Sequence, residues 1–274
     1  MSVHGRSAPG EDGHRLLLHR SEVERVTRLS GWVREGLAGG EKVVYVEGDT
    51  GVGRGVLSTL SAQGIDVGSA IGDGVLEVLS PDEFYRPGGQ EALLDRVLAE
   101  GYPSLRISGE ASSAYGVLTP AAHREIEDLM DRLCATRPVS ALCQYAVPAI
   151  PGVAALNDLV GLHPAGLTEL TLDTRGGDDG LVLRGAVDFT NVDFLRAGLV
   201  AAMSAADAGG SLRVDLSEVE HLSASACRAI AQDCGPFRTS GPRLLLWGVR
   251  PVVARVMRLC RLEGHGVEIV ERAR

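Results

Sequence analysis

A glycine-rich segment of the chain has the spacing of a phosphate-binding loop. The segment GDTGVGRG contains Gly48, Gly53, Arg54 and Gly55, follows an apolar run typical of a buried strand, and precedes a helical pattern. Backbone N–H groups in such a turn can cradle phosphate oxygens. Arg54, however, stands where a nucleotide-binding loop has lysine, and Gly55 stands where the Mg²⁺-binding hydroxyl would be. We therefore expect a turn that has lost nucleotide chemistry. A nucleotide-binding, ATP-handling protein with a degenerate loop remains the alternative.

Two serines stand at the predicted start of a helix in the second half of the chain. Ser223 and Ser225 lie in VDLSEVEHLSASACRAI, after a buried strand pattern and polar residues Ser217–Glu220 that we predict to form a turn. A hydroxyl at a helix start can cap free backbone N–H groups. A phosphate there would meet the positive end of the helix dipole. The pattern fits either an ordinary cap or a regulatory phosphorylation site.

Polar residues also end two predicted strands in the first half of the chain. Glu110 follows the run SLRISG and Gln144 ends the run VSALCQ. Ligands of open α/β sheets bind outside the carboxyl ends of the strands. Each residue could therefore contact a ligand or cap a neighbouring loop.

Other reactive residues give weaker signals. His123 and Glu127 are four residues apart on a predicted helix, without further metal ligands at a recognisable spacing, and we interpret them as a surface pair. Cys143 lies in an apolar strand and is interpreted as a core thiol. We accordingly expect no catalytic residue, no bound metal and no cofactor.

Composition narrows the class of protein. The chain has 274 residues, 45% hydrophobic and 23% charged, which suggests one large or two ordinary soluble domains. Its net charge of −9 lacks the basic excess of a nucleic-acid binder. No apolar run reaches the roughly 20 residues of a membrane span, and the absence of a signal pattern predicts a cytoplasmic protein. The five cysteines form no CxxC pair, so buried thiols are expected.

Periodicity predicts the elements that position these residues. Residues 1–12 are small and polar and predicted to be disordered. From Ser21 to about residue 163, helical patterns alternate with strand-like runs, which predicts a mainly parallel sheet covered on both faces. Ser21 and Thr119-Pro120 are predicted to open two of these helices, and Gly39-Gly40 to end the first. A boundary is expected between residues 164 and 168. A hairpin around RGGDD and further alternating elements follow it.

Residues 168–274 resemble a STAS domain, the fold of bacterial anti-sigma factor antagonists. The resemblance rests on LVLRGAVDFTNVDFLRAGL, VDLSEVEHLSASACRAI and RLLLWGVRPVVARVMRLCRL, in the family's order and spacing. It implies a smaller mixed-sheet α/β domain that docks on a kinase-like anti-sigma factor. In that family, phosphorylation of a serine at a helix start adds about two negative charges and favours release of the partner.

The usual motif around that serine is Asp-Ser-Ser/Thr/Ala-Gly. Here the matching residues are Ser223, Ala224, Ser225 and Ala226, so the phosphoacceptor position is an alanine. Asp188, in VDFT, matches the acidic residue of the family's first turn. The resemblance therefore implies a binding surface that is not switched at the usual position, with Ser223 or Ser225 as weaker phosphoacceptor candidates.

Residues 13–164 resemble the MEDS domain, a sensory domain named from methanogens and methylotrophs. WVREGLAGGEKVVYVEGD, LSAQGIDV, LAEGYPSLRISGEAS and ALCQY follow the family's order. The resemblance implies a degenerate relative of RecA- and KaiC-like ATPases, built as a parallel-sheet sandwich, that senses a small ligand. The family often opens with a histidine followed five residues later by tyrosine; here these positions hold His14 and His19.

Together these resemblances predict a non-enzymatic bacterial signalling protein that acts in transcription regulation or the stress response. Its partner would be an anti-sigma factor of kinase-like fold or another STAS protein, and its first domain would bind a small molecule. Neither nucleic acid nor a membrane is expected as a partner. A STAS scaffold of a larger signalling complex is a further alternative.

Overall fold

The computed structural model describes residues 12–47, 53–112, 118–177, 180–205, 211–233, 244–263 and 266–272. The chain divides into two compact units, Met1–Ile150 and Pro151–Arg274. Residues 1–11, which belong to the segment predicted to be disordered, lie outside the described residues. Asp12 is buried and forms an ion pair with Arg106, 2.7 Å from Oδ2 to Nη2, so it belongs to the first folded unit.

The first unit contains five parallel strands in the spatial order β1-β5-β4-β2-β3. They are β1 (His14–His19), β2 (Lys42–Val46), β3 (Leu76–Leu79), β4 (Leu105–Glu110) and β5 (Val139–Ala146). The parallel sheet predicted from the alternating pattern is confirmed.

Helices cover both faces of this sheet. They are α1 (Glu22–Gly39), α2 (Gly53–Ala62), α3 (Val67–Gly72), α4 (Pro81–Phe84), α5 (Gly89–Ala99) and α6 (Pro120–Thr136). One apolar core joins the first three helices to Val43 and Tyr45 of β2, and another joins the last three to Val44 and Val46. Successive side chains of a strand point to opposite faces, so β2 is apolar throughout because both of its faces are buried. We call these two sides the α1 face and the α6 face.

Local signals fix the ends of the longest helices. Ser21 caps α1 by accepting a hydrogen bond from the Glu24 N–H at 3.2 Å, and Gly40 closes it with a left-handed φ of 71°. Thr119 caps α6 in the same way, with Pro120 in the first turn. These boundaries are the predicted ones, because caps depend on neighbouring residues alone.

The second unit has six strands that lie side by side in chain order. They are β6 (Leu167–Thr168), β7 (Leu172–Gly177), β8 (Gly180–Val187), β9 (Leu212–Leu222), β10 (Leu244–Val249) and β11 (Val267–Glu271), with helices α7 (Val153–Gly161), α8 (Val192–Ala205), α9 (Ala224–Asp233) and α10 (Pro251–Leu259). The first three strands pair antiparallel and the rest parallel. The sheet is therefore mixed, as the STAS resemblance implied.

The predicted turn at Ser217–Glu220 is wrong, because β9 continues through these residues to Leu222. Val219 among them is buried, whereas Ser217, Glu218 and Glu220 are not, and the Arg184 Nε lies 2.9 Å from the Glu218 Oε1 across the strand pair. The register between β8 and β9 shifts around Gly185, whose φ of 89° suits glycine. The shift is set by strand pairing, which the local polarity of the sequence did not reveal.

The expectations of buried thiols and of no membrane-spanning segment can be compared with the described part of the chain. Cys134, Cys143, Cys227 and Cys260 are free thiols there, whereas Cys234 lies outside the described residues. Burial raises the pKa of Cys134 to about 12 and that of Cys227 to about 12. Among the described helices, none has the length and apolar character needed to cross a membrane.

Candidate functional site

The two serines of the second unit lie at the start of α9. Ser223 is the residue before the first helical position, and its Oγ accepts a hydrogen bond from the Ala226 N–H at 3.2 Å. The Ser223 and Ser225 hydroxyls are also 2.7 Å apart, and both side chains are half-buried. Ala224, the family's phosphoacceptor position, is exposed at the first turn of the helix. The structure thus assigns the cap to Ser223.

Asp188 organises the turn that follows β8. Its Oδ1 accepts hydrogen bonds from the Thr190 N–H and Oγ1, each at 2.7 Å, and its own N–H donates to the Asn191 Oδ1 at 2.9 Å. This arrangement leaves the next residue, Phe189, with 80% of its surface exposed. Aromatic residues are enriched in the cores of protein interfaces, so an exposed phenylalanine at this position is a candidate contact for a partner.

Strand pairing brings this turn beside the start of α9. Val187 of β8 lies opposite Leu222 of β9, and the Ser223 N–H donates to the Val187 carbonyl at 2.9 Å. Asp188, Phe189, Ser223 and Ala224 therefore share one edge of the sheet, and we call them the switch surface. It combines the positive end of a helix dipole with one exposed aromatic ring.

The strand-end residues of the first unit meet on the α1 face. Glu110 Oε2 lies 2.8 Å from His19 Nε2, and Glu110 Oε1 accepts the Ser112 N–H at 3.0 Å. Gln144 is fully buried and donates through Nε2 to the Ser108 Oγ at 2.8 Å. The two strand-end residues, for which we considered a ligand contact or a loop cap, are thus paired neighbours at the carboxyl edge of β4 and β5.

Arg25 of α1 connects these two residues. Its Nη1 donates to the Tyr45 hydroxyl at 2.9 Å and to the Gln144 Oε1 at 3.5 Å, and lies 3.9 Å from the Glu110 Oε2. Two further hydrogen bonds join its guanidinium to Glu22, at 2.8 and 2.7 Å. The result is a buried cation with carboxylate, amide and phenol oxygens around it.

The ionisation of this cluster follows from burial and from these contacts. Burial alone would raise the pKa of Glu110, but the hydrogen bonds from His19 and Ser112 lower it. Burial raises the pKa of Glu47, against the opposing effect of Arg25. Burial also raises the pKa of Tyr45, so its phenol stays protonated. These effects keep the Glu110 carboxylate charged and the Tyr45 phenol neutral beside Arg25.

The pair His123 and Glu127 is not the surface pair that we predicted. Glu127 is buried, with 3% of its surface exposed, on the α6 face. It accepts a hydrogen bond from the Tyr145 hydroxyl, and its Oε2 lies 3.2 Å from the His14 Nε2. The prediction failed because the sequence gives no sign that β1 and β5 carry polar groups opposite this turn of α6.

The predicted phosphate loop falls largely outside the described residues. Gly48 is not described, and Gly53, Arg54 and Gly55 are described only as the first backbone positions of α2. Its interpretation stays a prediction.

Sequence reasoning overlooked several residues of these sites. Arg25 was not predicted as a site residue, because it lies within an apolar helical repeat. Its position four residues before Leu29 nevertheless puts it on the buried side of α1. Phe189 lies in the quoted VDFT segment, yet an aromatic beside a turn is not distinctive in sequence. His14 and Glu127 are 113 positions apart in the chain, and no local pattern joins them.

Comparison with known families settles the class of the first domain. A family model described as MEDS, the methanogen/methylotroph, DcmR sensory domain, matches residues 13–164, more than half of the chain. The chain belongs to the MEDS family. A second model, described as Mlab, STAS domain, matches residues 170–271. The MEDS domain is therefore followed by a STAS domain, in the order that the sequence predicted.

Other comparisons add little to this assignment. A solved structure of a protein from Pyrococcus horikoshii OT3 is 11% identical, with 68% of this chain and 91% of that chain covered and a TM-score of 0.43. No curated protein gave a significant match.

The MEDS match ends at residue 164, whereas the first compact unit ends at Ile150, so α7 lies between the two boundaries. The predicted boundary at 164–168 stays a prediction.

Proposed function

We propose that the STAS domain of this MEDS-family signalling protein binds an anti-sigma factor of kinase-like fold and so regulates transcription from the cytoplasm. The observation that carries the proposal is the switch surface, where an exposed helix start stands beside an exposed phenylalanine. Aromatic residues that enter a pocket of the partner often supply most of the binding energy of an interface. No catalytic step is assigned to either domain.

The same surface supports a binding state that phosphorylation does not control. Ala224 has no hydroxyl to accept phosphate. Ser223 Oγ is engaged as the helix cap, and Ser225 Oγ lies 2.7 Å from it, so modification of either would disrupt an existing hydrogen bond. We infer that the domain stays in the state equivalent to the dephosphorylated, partner-binding form of the family.

Calorimetric titration against kinase-fold anti-sigma factors encoded in the same genome tests the docking surface. Phe189→Ala should weaken binding by about 2 kcal/mol or more. Ala224→Glu should weaken it as well, because it places a negative charge where phosphate would stand.

Leu259→Ala is the matched control. Leu259 is 77% exposed, against 80% for Phe189. It ends α10, a nine-residue helix that begins after β10, at the same strand edge as the switch surface, so it lies about 12 Å along the helix axis from that edge. Equal losses from Phe189→Ala and Leu259→Ala would contradict the assigned surface. A pull-down with the full-length chain distinguishes the scaffold alternative. Recovery of other STAS proteins, with no kinase-fold partner, would favour it.

Phosphorylation is tested separately with the cognate kinase and ATP. The unmodified chain should incorporate no stoichiometric phosphate, and Ala224→Ser should gain it at residue 224. Stoichiometric phosphate on Ser223 or Ser225 of the unmodified chain would overturn the inference that control has been lost.

For the MEDS domain, we propose that the Arg25 cluster is the ligand-sensing edge. Glu110 and Gln144 converge on Arg25 at the carboxyl ends of parallel strands, which is where open α/β sheets bind ligands. A library of small metabolites, screened by thermal shift, should contain a ligand that stabilises the chain but not the Arg25→Met variant. Glu125→Gln, a change on the exposed side of α6, serves as the control. An equal shift in Arg25→Met would place the ligand elsewhere.

The nucleotide-handling alternative has a direct test at the glycine-rich turn. Labelled ATP, titrated with and without Mg²⁺, should show no Mg²⁺-dependent turnover. Turnover that is abolished by Arg54→Ala would replace our proposal for the first domain.

A further inference from the structure

Three side chains of types that can ligate a metal ion converge on the α6 face of the first unit, away from the Arg25 cluster. They are His14 of β1, Glu127 of α6 and Cys143 of β5. His14 Nε2 lies 3.2 Å from Glu127 Oε2 and 3.3 Å from Cys143 Sγ, and Cys143 Sγ lies 3.8 Å from Glu127 Oε2. His14 and Glu127 are almost fully buried. One nitrogen, one oxygen and one sulfur thus form a compact triangle inside the domain.

The sides of this triangle match the spacing of ligands around zinc. Zinc holds nitrogen and oxygen ligands at about 2.0 Å and thiolate sulfur at about 2.3 Å, so two ligands of a tetrahedron lie about 3.3–3.5 Å apart. The three measured distances run from 3.2 to 3.8 Å. A donor set with thiolate and imidazole favours zinc or a similar transition metal over Mg²⁺ or Ca²⁺.

The surroundings hold the carboxylate in the orientation that a metal ligand needs. The other oxygen of Glu127, Oε1, accepts a hydrogen bond from the Tyr145 hydroxyl and lies 3.3 Å from the His123 Nε2. Those contacts leave Oε2 directed at His14 and Cys143. Such outer partners commonly fix the ligands of a metal site.

A small cavity adjoins the triangle. Its volume is about 20 Å³, and its lining includes Glu127 and Cys143 among apolar side chains such as Met130 and Ile107. That volume accommodates about one water molecule. The cavity thus borders two of the three side chains, Glu127 and Cys143, and offers space for one water ligand beside them.

We propose that the MEDS domain binds one transition-metal ion of the zinc class through His14 Nε2, Glu127 Oε2 and Cys143 Sγ. The inference does not depend on the docking function of the STAS domain. It also gives His14 and Glu127 a joint role that their distant positions in the sequence did not suggest.

Cobalt titration of the full-length, chelator-treated protein tests the site. Co²⁺ should bind at one ion per chain and produce the near-ultraviolet charge-transfer absorption of a cobalt–thiolate bond. Addition of Zn²⁺ should abolish that absorption by displacement. Cys143→Ser should remove the absorption, whereas Cys134→Ser, which alters a thiol of α6 outside the triangle, should leave it unchanged.

A second variant keeps the test valid if Cys143→Ser does not fold. Glu127→Gln retains the size of the side chain and an oxygen that can accept from Tyr145, and should weaken Co²⁺ binding at least about ten-fold. Circular dichroism establishes that each variant is folded. A missing thiolate absorption in the folded wild-type protein, or affinities unchanged in folded Glu127→Gln, would overturn the proposal.

Discussion

At the scale of single residues, existing hydrogen bonds determine which polar side chains are available for new chemistry. The Ser223 hydroxyl already caps α9 and contacts Ser225, so its first role is structural. The Glu110 carboxylate contacts His19 and accepts a hydrogen bond from the Ser112 N–H, and both contacts favour the charged form of Glu110. In both cases the partner, rather than the residue type, decides the role.

Replacement of the α9 cap should lower the stability of the second domain. Ser223→Ala removes the acceptor of the Ala226 N–H and should reduce the free energy of unfolding by about 1 kcal/mol. Urea unfolding measures the change. Ala224→Ser, one residue further along, keeps the cap and should change the stability by no more than about 0.5 kcal/mol. A loss from Ser223→Ala no larger than that of Ala224→Ser would contradict the capping role of Ser223.

The acid dependence of stability should report on Glu110. Its pKa is lowered in the folded protein, so its contribution is fully present above the unfolded value of about 4.3 and is lost as the pH falls through the folded value. Glu110→Gln should therefore be less stable than the wild type at pH 7, and the difference should shrink as the medium is acidified through that range. Urea unfolding as a function of pH measures the difference. A difference in unfolding free energy that increases as the pH falls would contradict the lowered pKa of Glu110.

At the scale of elements, a glycine lets α1 approach the sheet closely at Gly36. A Cβ added at Gly36 would lie 2.8 Å from Arg106 Cδ and 2.9 Å from Val43 Cγ2, so only glycine fits there without displacement. Arg106 is itself fixed: its Nε donates to Glu41, and its guanidinium stacks 4.2 Å from the Trp32 ring. The neighbouring side chains therefore have little freedom to yield.

Two glycines of α1 should consequently respond in opposite ways to alanine. Gly31→Ala has no atom within 4 Å of the new Cβ and should stabilise the chain by up to about 1 kcal/mol through helix propensity. Gly36→Ala gains the same propensity but overpacks the core and should destabilise it by about 1–3 kcal/mol. Thermal and urea unfolding compare the two variants. Equal stabilisation of both would mean that α1 can move away from the sheet at no cost.

The elements also show how far local patterns predict structure. Ser21, Thr119 and Gly40 mark helix ends correctly because a cap depends on residues within one turn. The strand was predicted to end before Ser217, whereas β9 continues to Leu222, since Glu218 is held in the strand by its pairing with β8. Such pairing joins segments that lie more than thirty positions apart.

At the scale of the whole molecule, two compact units match two families in sequence, a MEDS domain and a STAS domain. The segment between residues 151 and 164 belongs to the family match of the first and to the compact unit of the second. Its helix α7 packs against α8, and Leu156, Leu159 and Val160 of α7 are buried. The structural boundary of the second unit therefore includes a helix that the sequence resemblance placed in the first domain.

Excised fragments can decide which boundary describes an independently folding unit. The fragment 151–274 should be more stable than 168–274 by at least about 2 kcal/mol, because burial of each large apolar side chain contributes about 1.5–3 kcal/mol. Urea unfolding of the two fragments gives the difference. Equal stability would assign α7 to the MEDS domain, as the predicted boundary does.

The sequence by itself determined the two-domain order, the alternation that makes a parallel sheet, the helix caps and the alanine at position 224. These features depend on neighbouring residues or on periodicity, both of which are written directly in the chain. Only the tertiary structure brought His14 to Glu127 and Cys143, joined Glu110 and Gln144 through Arg25, and exposed Phe189 beside Ala224. Those sites arise where strand pairing and helix packing unite distant segments, and a contact across more than a hundred residues leaves no local pattern in a single sequence.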